Sequence, residues 1–587
     1  MKAPSPEPPF LVFPDQAGGF FVFHEPLACF PGAELDAAEG FARGQDAWLA
    51  GGLEYAAAEG PAPGWWGVFS RPLGASWADL ELWADPSPVL TGPLSSPVSE
   101  ADYHASFDQV RDALRSGITY QVNLTFPVEG QAVAASWSWR SALRLWIELI
   151  KDQGREASFA VLGTKDRPSP ILVSASPELF FQREGAVVEA RPMKGTATRH
   201  PDPASDAAHR HELATSSKTR AENLMVTDML RNDLGRLAEA GGVSVPRLFE
   251  VEAYPTVWQM TSTVRARVAA DLSLNALMEA LFPCASITGA PKVSTQRVIA
   301  QAEAFPRGWY TGTLGWHRPG SPAAGPTRSR FSVLIRTLVF DETAAFRLGA
   351  GGGVVWDSTP EGEWAEAWAK TRFLVSTRRK FDLTEAVLWE PEAGFFLLFE
   401  HEARLAAACR EFGGALVPGK LKSELEAEVS RLQGLGLPGP FKLRVLVDPR
   451  FQLRAEGEAL SWLPDVLTVA LAPRPFGPES LLYRKYKTTD RRVYTENKVP
   501  GVDQTIYFNE KGELTESTSM TLVLEKDGKF RTPALSSGLL DGTYRARLIA
   551  DGVLEEAVLP VEALAAADKI WLVNSVRRWK AATMVRG

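Results

Sequence analysis

Apolar positions change their spacing along this chain, and the spacing separates predicted helices from predicted strands. Between about Glu100 and Ser116, apolar side chains recur every three or four residues, which predicts a helix with one buried face. Short aromatic runs bounded by Pro and Gly come before it and predict strands over Phe10–Phe13, Phe20–Phe23 and Trp65–Phe69. Strand-like and helical segments then alternate. The pattern predicts a mixed α and β fold.

A junction between two domains is predicted at Arg378-Arg379-Lys380. These residues follow a helix that starts at Thr359 and Pro360, residue types favoured at a helix cap and in a first turn. We therefore predict domains over 1–378 and 379–587. The second opens with a predicted strand over Phe395–Phe399 and a helix over His401–Phe412.

Two β-hairpins are predicted from short apolar runs around tight turns. In the first domain, Leu179–Gln182 and Ala186–Val188 flank Arg183-Glu184-Gly185. In the second, Met520–Glu525 and Phe530–Thr532 flank a turn that contains Asp-Gly, a strong hairpin signal. Between these two hairpins, a helix is predicted over Lys218–Ala240, and it contains Glu222.

Composition excludes several classes of protein. The length of 587 residues suggests about three or four structural units. A net charge of −8 gives no basic face for nucleic acid, and no apolar run reaches membrane length. The three cysteines lack paired or metal-ligand spacing, and the N-terminus lacks the layout of a signal peptide. We therefore expect a cytoplasmic protein that binds neither nucleic acid nor membrane.

The first candidate site is the pair Glu178 and Lys194, which lie at the two ends of the first hairpin. A tight hairpin brings its ends together, so the carboxylate and the amine can face one pocket. An amine beside a carboxylate suits covalent addition coupled to acid catalysis. A surface lysine near a strand end is the commoner origin of such a pattern.

Glu222 shares a helix face with apolar residues, and a buried carboxylate needs a partner such as a cation. Glu363 and Glu366 lie one turn apart on a second helix, with Lys370 a further turn on. Carboxylates without His or Cys suit Mg²⁺ better than zinc. The alternative is a solvated helix that carries a Glu366–Lys370 ion pair.

Two features predict an anionic substrate. The glycines of Gly349–Gly353 let backbone N–H groups approach an anion, although a β-bulge would have the same sequence. Arg336 ends an apolar strand and suits a carboxylate. Ser286–Lys292 forms another turn of small residues before a helix. A small substrate with more than one carboxylate is predicted.

Seven motifs in order resemble the chorismate-utilising family, which includes anthranilate, aminodeoxychorismate, isochorismate and salicylate synthases. The resemblance covers residues 1 to 378, weakly before residue 100, and implies large antiparallel sheets with flanking helices. The motifs are Ser176-Pro177-Glu178, Pro192-Met193-Lys194-Gly195-Thr196, Arg220-Ala221-Glu222-Asn223-Leu224-Met225, Arg231-Asn232-Asp233-Leu234, Ile287-Thr288-Gly289-Ala290-Pro291-Lys292, Tyr310-Thr311-Gly312 and Ile335-Arg336-Thr337.

Two positions discriminate within this family. Members that add water carry a Lys where this chain has Gln121, so the resemblance implies ammonia as nucleophile. Anthranilate synthases have Ala at position 194, whereas Lys194 is typical of 4-amino-4-deoxychorismate synthase component I. Lys194 would then add at C2 of chorismate while Glu178 assists loss of the 4-hydroxyl, and ammonia would enter at C4.

The resemblance also implies the remaining ligands of the first domain. Glu222, Glu366 and Glu363 would hold Mg²⁺. Many relatives have a His at Gln259, so a proton-transfer role for that His does not carry over to this chain. The residues that would bind the substrate are Gln121, Thr288, Gly289, Tyr310, Arg336, Gly353 and Lys370.

The second domain resembles the fold-type IV pyridoxal phosphate (PLP) family, which includes branched-chain and D-amino acid aminotransferases and aminodeoxychorismate lyase. The resemblance rests on four stretches and makes Lys487 the lysine that binds the cofactor and Glu516 the partner of the pyridine nitrogen. Arg404 and Thr543 would bind its phosphate. The stretches are Leu398–Leu405, Lys487-Thr488-Thr489, Gly512–Ser517 and Ser537–Arg545.

The neighbouring domain decides which PLP reaction is expected. Elimination of pyruvate from aminodeoxychorismate would give 4-aminobenzoate, a folate precursor, with Lys487 as acid–base group. Two alternatives remain open: anthranilate synthase fused to an aminotransferase, and a second domain that only docks partners. The docking alternative is favoured by the missing opening strands and by Met520, where relatives usually have Asn.

Partners follow from the same resemblance. None of the three cysteines lies in the glycine-flanked turn of a glutaminase nucleophile, so ammonia is expected from a separate glutamine amidotransferase subunit. We also expect the PLP domain to be capable of forming a homodimer. Chorismate, Mg²⁺ and PLP complete the predicted ligands.

Overall fold

The computed structural model divides the chain into two compact units. It describes residues 4–15, 17–55, 62–86, 89–92, 94–134, 137–151, 156–167, 169–200, 202–254, 257–377, 380–412, 415–449, 451–477 and 480–585, so Arg378 and Arg379 of the predicted junction lie outside the described residues. The first unit comprises residues 1–85, 94–132 and 137–377, and the second comprises 86–93, 133–136 and 378–587. Length alone suggested three or four units, more than the two observed, because an estimate from length assumes units of average size and the first unit is larger than average.

Up to residue 377 the strands are β1 (Phe10–Pro14), β2 (Phe20–His24), β3 (Ala28–Pro31), β4 (Trp48–Tyr55), β5 (Gly64–Phe69), β6 (Leu73–Ala75), β7 (Leu90–Thr91), β8 (Gln121–Val133), β9 (Ser158–Val161), β10 (Ile171–Ser174), β11 (Leu179–Glu184), β12 (Val187–Ala190), β13 (Met193–Thr198), β14 (Ala238–Ala253), β15 (Val257–Val268), β16 (Gly289–Ala290), β17 (Gly308–Arg318), β18 (Arg328–Val333), β19 (Thr337–Phe340) and β20 (Ala345–Val354). The helices are α1 (Leu35–Gly44), α2 (Trp77–Trp83), α3 (Glu100–Arg115), α4 (Trp139–Ile150), α5 (Pro203–Thr215), α6 (Ser217–Gly235), α7 (Leu274–Leu281), α8 (Lys292–Ala302) and α9 (Pro360–Ala369).

The first unit is built on two antiparallel sheets. One has the strand order β16-β8-β20-β19-β10-β9-β1-β2-β6, and the other has β13-β15-β12-β11-β18-β17-β4-β5-β3, with β14 paired to β15. Apolar side chains from both sheets form one core, including Phe13 and Phe23 from the first sheet and Leu314 and Trp316 from the second. This arrangement confirms the predicted antiparallel sheets with flanking helices.

In the second unit the strands are β21 (Leu383–Glu390), β22 (Gly394–Phe395), β23 (Phe441–Val447), β24 (Leu453–Ala459), β25 (Val466–Leu471), β26 (Gln504–Phe508), β27 (Leu514–Ser517), β28 (Thr521–Lys526), β29 (Lys529–Pro533), β30 (Glu555–Ala557), β31 (Lys569–Asn574) and β32 (Arg578–Met584). The helices are α10 (Leu398–Glu411), α11 (Lys420–Gly434), α12 (Leu481–Lys485), α13 (Arg492–Thr495), α14 (Thr543–Ala550) and α15 (Ala563–Ala566).

The second unit contains two sheets with separate cores. The smaller is antiparallel in the order β22-β21-β23-β24, and α10 and α11 contribute Leu405 and Leu425 to its core. The larger is mixed, in the order β27-β26-β25-β32-β31-β28-β29-β30. Its β25 pairs in parallel with both β26 and β32, whereas β28, β31 and β32 pair in antiparallel fashion. Two sheets with flanking helices give the unit an α+β character.

Local signals predicted several element boundaries. Helix α3 begins after Ser99, whose hydroxyl accepts from the backbone N–H of Asp102 in a capping box. Helix α9 has Thr359 as its cap and Pro360 in its first turn, as predicted. The two predicted hairpins form between β11 and β12 and between β28 and β29.

Two predicted elements were wrong. The helix predicted to end at Ala240 ends at Gly235, because the following residues join the sheet as β14 from Ala238. The strand predicted over Phe395–Phe399 ends at Phe395, since Leu397 adopts a left-handed conformation with φ of 54° and α10 starts at the next residue. An apolar run of five residues does not distinguish a strand from the first turn of a buried helix.

Candidate functional site

Glu178 and Lys194 are joined through Ser286. Glu178 lies immediately before β11, Lys194 is in β13, and Ser286 is in the short 3₁₀ helix Ala285–Ile287. The Ser286 hydroxyl donates to Glu178 Oε1 at 2.6 Å, and Lys194 Nζ donates to the Ser286 carbonyl oxygen at 3.2 Å. One residue therefore holds the predicted acid and the predicted nucleophile on two sides of the same turn.

The two groups have pKa values shifted in opposite directions. Burial raises the pKa of Glu178 to about 7, against the opposing effects of the Ser286 hydroxyl and Lys194. Burial, followed by the nearby Lys370 ammonium, lowers the pKa of Lys194, while carboxylates including Glu178 act in the opposite direction. Near neutral pH, the protonated form of Glu178 and the neutral form of Lys194 are therefore more populated here than they would be in water.

The predicted metal carboxylates differ in their surroundings. Glu363 is buried, and its Oε1 accepts from the Ser358 hydroxyl at 2.7 Å. Its Oε2 has no hydrogen-bond partner among the described residues. Glu366 pairs with Lys370 at 2.9 Å. Burial and the negative charge of Glu366 raise the pKa of Glu363, against the opposing effects of the Ser358 hydroxyl and Lys370.

A cation therefore fits beside Glu363 and Glu366, and Gly352 leaves it room. A Cβ at Gly352 would lie 2.6 Å from Glu363 Oε2 and 3.7 Å from Glu366 Oε1. Glu222 pairs with Lys218 at 4.0 Å, and among the described residues no three His, Cys, Asp or Glu side chains form a ready metal-ligand group. The predicted set of three carboxylates is not assembled in this structure.

Several of the predicted substrate ligands lie around one turn. The β16 residue Gly289 pairs with Val122, next to Gln121 in β8. A Cβ at Gly353 would lie 2.5 Å from Gln121 Nε2, and one at Gly289 would lie 2.0 Å from the Gln121 carbonyl oxygen. Thr288 points its hydroxyl at the Cys284 carbonyl oxygen, 3.0 Å away. Glycine is thus required at position 289, where the backbone closes on the Gln121 carbonyl oxygen.

The other predicted ligands lie nearby on different elements. Tyr310 packs on Gly349, where a Cβ would lie 2.0 Å from the Tyr310 ring. Arg336 has a φ of 51°, and its carbonyl oxygen accepts from Ala175 at 3.1 Å, close to the Glu178 segment. Lys370 donates to the Gly351 carbonyl oxygen at 2.8 Å in addition to its pairing with Glu366. In this structure Lys370 is engaged by the protein itself.

Residues of the first site that sequence reasoning missed include the buried pair Glu303 and Arg307. The Arg307 guanidinium donates to the carbonyl oxygens of Asn123 at 2.7 Å and Ile287 at 2.9 Å. Glu303 accepts from Arg307 at 2.7 Å and from the Thr125 N–H at 2.8 Å. This pair ties β8 to the turn that contains Ser286. An acid and a base at i and i+4 were the available signal.

In the second unit, Lys487 is held against β21. Its carbonyl oxygen accepts from the Thr384 N–H at 2.9 Å. Burial lowers the pKa of Lys487 to about 8, with Glu385 acting in the opposite direction and Arg404 adding to the decrease. A lysine with a lowered pKa provides the neutral amine that addition to a carbonyl requires.

Arg404 belongs to a buried cluster that the sequence did not reveal. Glu385 accepts from Arg404 Nε at 2.8 Å and Nη2 at 2.7 Å, and from His401 Nδ1 at 2.7 Å. Arg404 also donates to the Asp541 carbonyl oxygen at 2.6 Å, just before α14. His401 Nε2 lies 3.4 Å from the hydroxyl of Thr543, the first residue of α14. The cluster ties α10 to the start of α14.

Glu516 completes this second group of side chains. It is buried, and its Oε1 accepts from the Tyr494 hydroxyl at 2.8 Å. Burial raises its pKa, against Tyr494, Arg491 and Arg484. Electrostatic interactions link Arg404 to Glu516 and Lys487 to Arg404. A lysine, a carboxylate, an arginine and a helix start are the donor set that a pyridoxal phosphate group requires.

Comparison with known proteins identifies both units. Residues 80–376, just over half of the chain, match the family described as chorismate binding enzyme. The chain belongs to this family. Residues 382–583 match amino-transferase class IV, so the two predicted resemblances occur together on one enzyme chain, as expected.

Individual relatives of this chorismate binding enzyme cover parts of it. Aminodeoxychorismate synthase component 1 of Escherichia coli is 36% identical over 50% of this chain and 61% of that protein. Anthranilate synthase component 1 of Streptomyces coelicolor is 38% identical over 36% of this chain and 40% of that protein. The chain thus spans less than two thirds of these relatives.

A solved structure confirms the fold of the family in the first unit. The menaquinone-specific isochorismate synthase of Escherichia coli superposes with a TM-score of 0.52 at 16% identity, over 64% of this chain and 90% of that one. At this identity the likeness extends to the fold alone. Within the described residues, no helix is long and apolar enough to span a membrane.

Replacing Ser286 by alanine is expected to shift the pH dependence of this chorismate binding enzyme. The hydroxyl stabilises the Glu178 carboxylate, so its loss raises the Glu178 pKa further above 7. If Glu178 acts as an acid, activity falls as pH rises through that pKa, and the alkaline limb of kcat/KM moves to higher pH. Steady-state rates across pH measure this. Ser294→Ala, in α8, where the hydroxyl donates only to the nearby Pro291 carbonyl oxygen, is the matched control. An unmoved limb in Ser286→Ala would contradict the assignment.

If Glu363 is a Mg²⁺ ligand, replacing it by glutamine should weaken Mg²⁺ binding by about tenfold or more, because the variant loses a charged ligand. Glu361→Gln changes an exposed carboxylate on the same helix and is expected to bind Mg²⁺ like the wild type. Titration calorimetry with MgCl₂ compares the two variants. Equal Mg²⁺ affinity in Glu363→Gln and the wild type would exclude Glu363 as a ligand.

Proposed function

We propose that the first unit aminates chorismate at C4 to form 4-amino-4-deoxychorismate, and that the second unit converts this product to 4-aminobenzoate and pyruvate. The observation that carries the first assignment is the Ser286 bridge between Glu178 and Lys194, with a raised carboxyl pKa and a lowered amine pKa. That combination supports nucleophilic attack by one group and proton donation by the other in the same pocket.

Two displacements account for amination at C4. The neutral Lys194 amine forms a bond to C2 of chorismate, the ring double bonds shift, and the 4-hydroxyl leaves as water with a proton from Glu178. Ammonia then forms a bond at C4, the double bonds shift back, and the C2–Nζ bond breaks to restore Lys194. Chorismate and ammonia thus give aminodeoxychorismate and water, with no oxidant or reductant.

The other predicted residues of the first unit would bind and orient the substrate. Tyr310, Arg336, Gly353 and Lys370 would hold its carboxylates, with Gln121, Thr288 and Gly289 lining the same turn. Mg²⁺, held by Glu363 and Glu366 with Glu222 as a further candidate, would supply positive charge beside those carboxylates. Lys370 would have to exchange its Glu366 partner for the substrate.

In the second unit the side-chain set supports proton transfer at C4 of aminodeoxychorismate. Pyridoxal phosphate, when bound, supplies an electron sink for the bond electrons of that carbon. Lys487 would bind the cofactor and move the proton, Glu516 would hold its ring nitrogen, and Arg404 with Thr543 would bind its phosphate. The proton leaves C4 and pyruvate leaves from C3 as the ring becomes aromatic.

Ammonia for the first unit is proposed to come from a separate glutamine amidotransferase, as the component 1 relatives suggest by name. The pure chain should therefore use ammonium but not glutamine. Glutamine-dependent amination by the pure chain would refute this partner. Recovery of such activity when an amidotransferase subunit is added would support it.

A non-catalytic second unit is the alternative, and one observation favours it. Two nitrogens of Arg404 are already engaged by Glu385, which leaves fewer donors for a phosphate. The retained buried pair of Lys487 and Glu516 opposes it. A purified chain that neither contains PLP nor takes it up would identify the second unit as a docking module.

The deciding experiment is product analysis after incubating the pure chain with chorismate, ammonium, Mg²⁺ and PLP. 4-Aminobenzoate and pyruvate would support both assignments. Aminodeoxychorismate alone would support the first unit and exclude catalysis by the second. Anthranilate would overturn the assignment of Lys194 and favour the alternative of an anthranilate synthase.

A further inference from the structure

The strand that contains Lys194 has a bulge at this residue. Strand β13 pairs with β15 through Met193 opposite Thr261 and Thr196 opposite Gln259, with a register shift between the two pairs. Lys194 and Gly195 therefore lie opposite the single residue Met260. Two residues facing one is the definition of a β-bulge, which bends a strand and redirects the side chains around it.

Only glycine fits the second position of this bulge. Gly195 has a φ of 84°, in the left-handed region. A Cβ there would lie 2.0 Å from Cγ2 of Thr219 on α6. On the α6 side, the contact with Thr219 fixes the backbone next to Lys194. On the β15 side, the bulge leaves backbone groups without their ladder partners, and these groups need another hydrogen-bond partner.

Gln259 satisfies one of those groups, the Gly195 carbonyl oxygen, and uses the other end of its amide to hold the Thr196 side chain. Its Nε2 donates to the Gly195 carbonyl oxygen at 2.7 Å, and its Oε1 accepts from the Thr196 hydroxyl at 2.8 Å. Gln259 is only 8% exposed, so water does not easily replace these bonds. An amide offers its donor and its acceptor side by side, whereas those of a neutral imidazole diverge on opposite sides of the ring.

We propose that Gln259 is a positioning residue that closes the Lys194–Gly195 bulge and so fixes the direction of the Lys194 amine toward Ser286, and that it transfers no proton. The bulge redirects the lysine, and the amide holds the bulge in one conformation. The kinetic part of this proposal rests on the proposed amination, but the structural part does not.

The first test uses the chain without substrate. Lys194 reactivity toward formaldehyde and cyanoborohydride is measured across pH by peptide mass spectrometry, with the exposed Lys165 as internal reference. In Gln259→Leu, a loosened bulge admits water to Lys194, so the midpoint of its pH profile should move up by at least about 1. Thr196→Val, which removes one of the two bonds, should move it less. Gln301→Leu, at an exposed position of α8, should leave it unchanged.

The second test uses steady-state amination with chorismate and ammonium. Gln259→Leu should lower kcat by about tenfold or more, since a misplaced nucleophile reacts slowly, and should leave the KM for chorismate within about twofold. The shape of the pH profile should stay that of the wild type, because no ionising group is lost.

Two results would overturn the proposal. One is a folded Gln259→Leu, with a thermal unfolding midpoint like that of the wild type, whose Lys194 profile and kcat are both unchanged. The other is a loss confined to KM, or a missing limb of the pH profile, which would make residue 259 a substrate ligand or a proton carrier. Failure of the proposed amination is distinguishable. The wild type would then form no aminodeoxychorismate, or Lys194→Ala would form it at the wild-type rate, while the first test, which uses no substrate, would still report on the bulge.

Discussion

Replacing Lys194 by alanine should reduce formation of aminodeoxychorismate by at least about 10³-fold, because the covalent route through C2 is lost. Lys194→Arg should be equally inactive. A guanidinium keeps the positive charge but stays protonated and cannot attack. The pair of variants therefore separates a nucleophile from a charged ligand. Product chromatography with chorismate, ammonium and Mg²⁺ measures the rates.

The control for this prediction is Lys165→Ala, which removes an exposed lysine whose side chain is 70% accessible. It should retain the wild-type rate. Withholding ammonium from the wild-type chain adds a direct readout, since the second displacement then has no nucleophile and the Lys194 peptide should gain the mass of chorismate less one water. Substantial amination by Lys194→Arg, or no such adduct, would show that Lys194 is not the nucleophile.

Local signals accounted for much of the architecture. The hairpin around Gly185, the extent of α3 and the cap of α9 depend on a few consecutive residues, so composition and spacing predicted them. The start of α10 was missed because an apolar run continues from β22 into the helix, and only the left-handed Leu397 marks the change. The end of α6 was missed because pairing with β15 extracts its expected last residues into β14.

The groups that organise the sites were harder to predict, since their partners are distant in the sequence. Ser286 is 108 residues from Glu178, and nothing local to either residue indicates that they are bonded. Gln259 is 64 residues from the Gly195 carbonyl oxygen it satisfies. A motif identifies which side chains are present, but sheet register decides which atoms meet, and register is set by pairing across the whole sheet.

Glu385 illustrates the same limit in the second unit. In the sequence it is an acidic residue near a strand, which indicates exposure. In the structure it is 1% exposed and is stabilised as a carboxylate by Arg404 and His401, whose charges and hydrogen bonds outweigh its burial and hold its pKa well below the ordinary value. A buried carboxylate that engages the predicted phosphate ligand bears directly on whether this unit is catalytic.

Replacing Lys487 by alanine should separate the two proposed activities of the chain. Formation of 4-aminobenzoate should fall by at least about 10³-fold, whereas aminodeoxychorismate should accumulate at the wild-type rate, because Lys487 and Lys194 lie in different units. Lys485→Ala, two residues away and exposed, is the matched control and should form 4-aminobenzoate normally. The assay follows both products in one incubation.

Cofactor attachment tests the same lysine without turnover. After incubation with PLP and reduction by borohydride, the Lys487 peptide of the wild type should gain the reduced cofactor. Because burial lowers the Lys487 pKa to about 8, the neutral amine becomes available as pH rises, so the attachment rate should increase up to about pH 8 and then level off. The Lys485→Ala variant should behave identically. Attachment at another lysine, or 4-aminobenzoate formation by Lys487→Ala at the wild-type rate, would refute the role of Lys487. A wild-type chain that takes up no PLP would favour a docking role for the second unit. In that case Glu385 would hold Arg404 away from any phosphate.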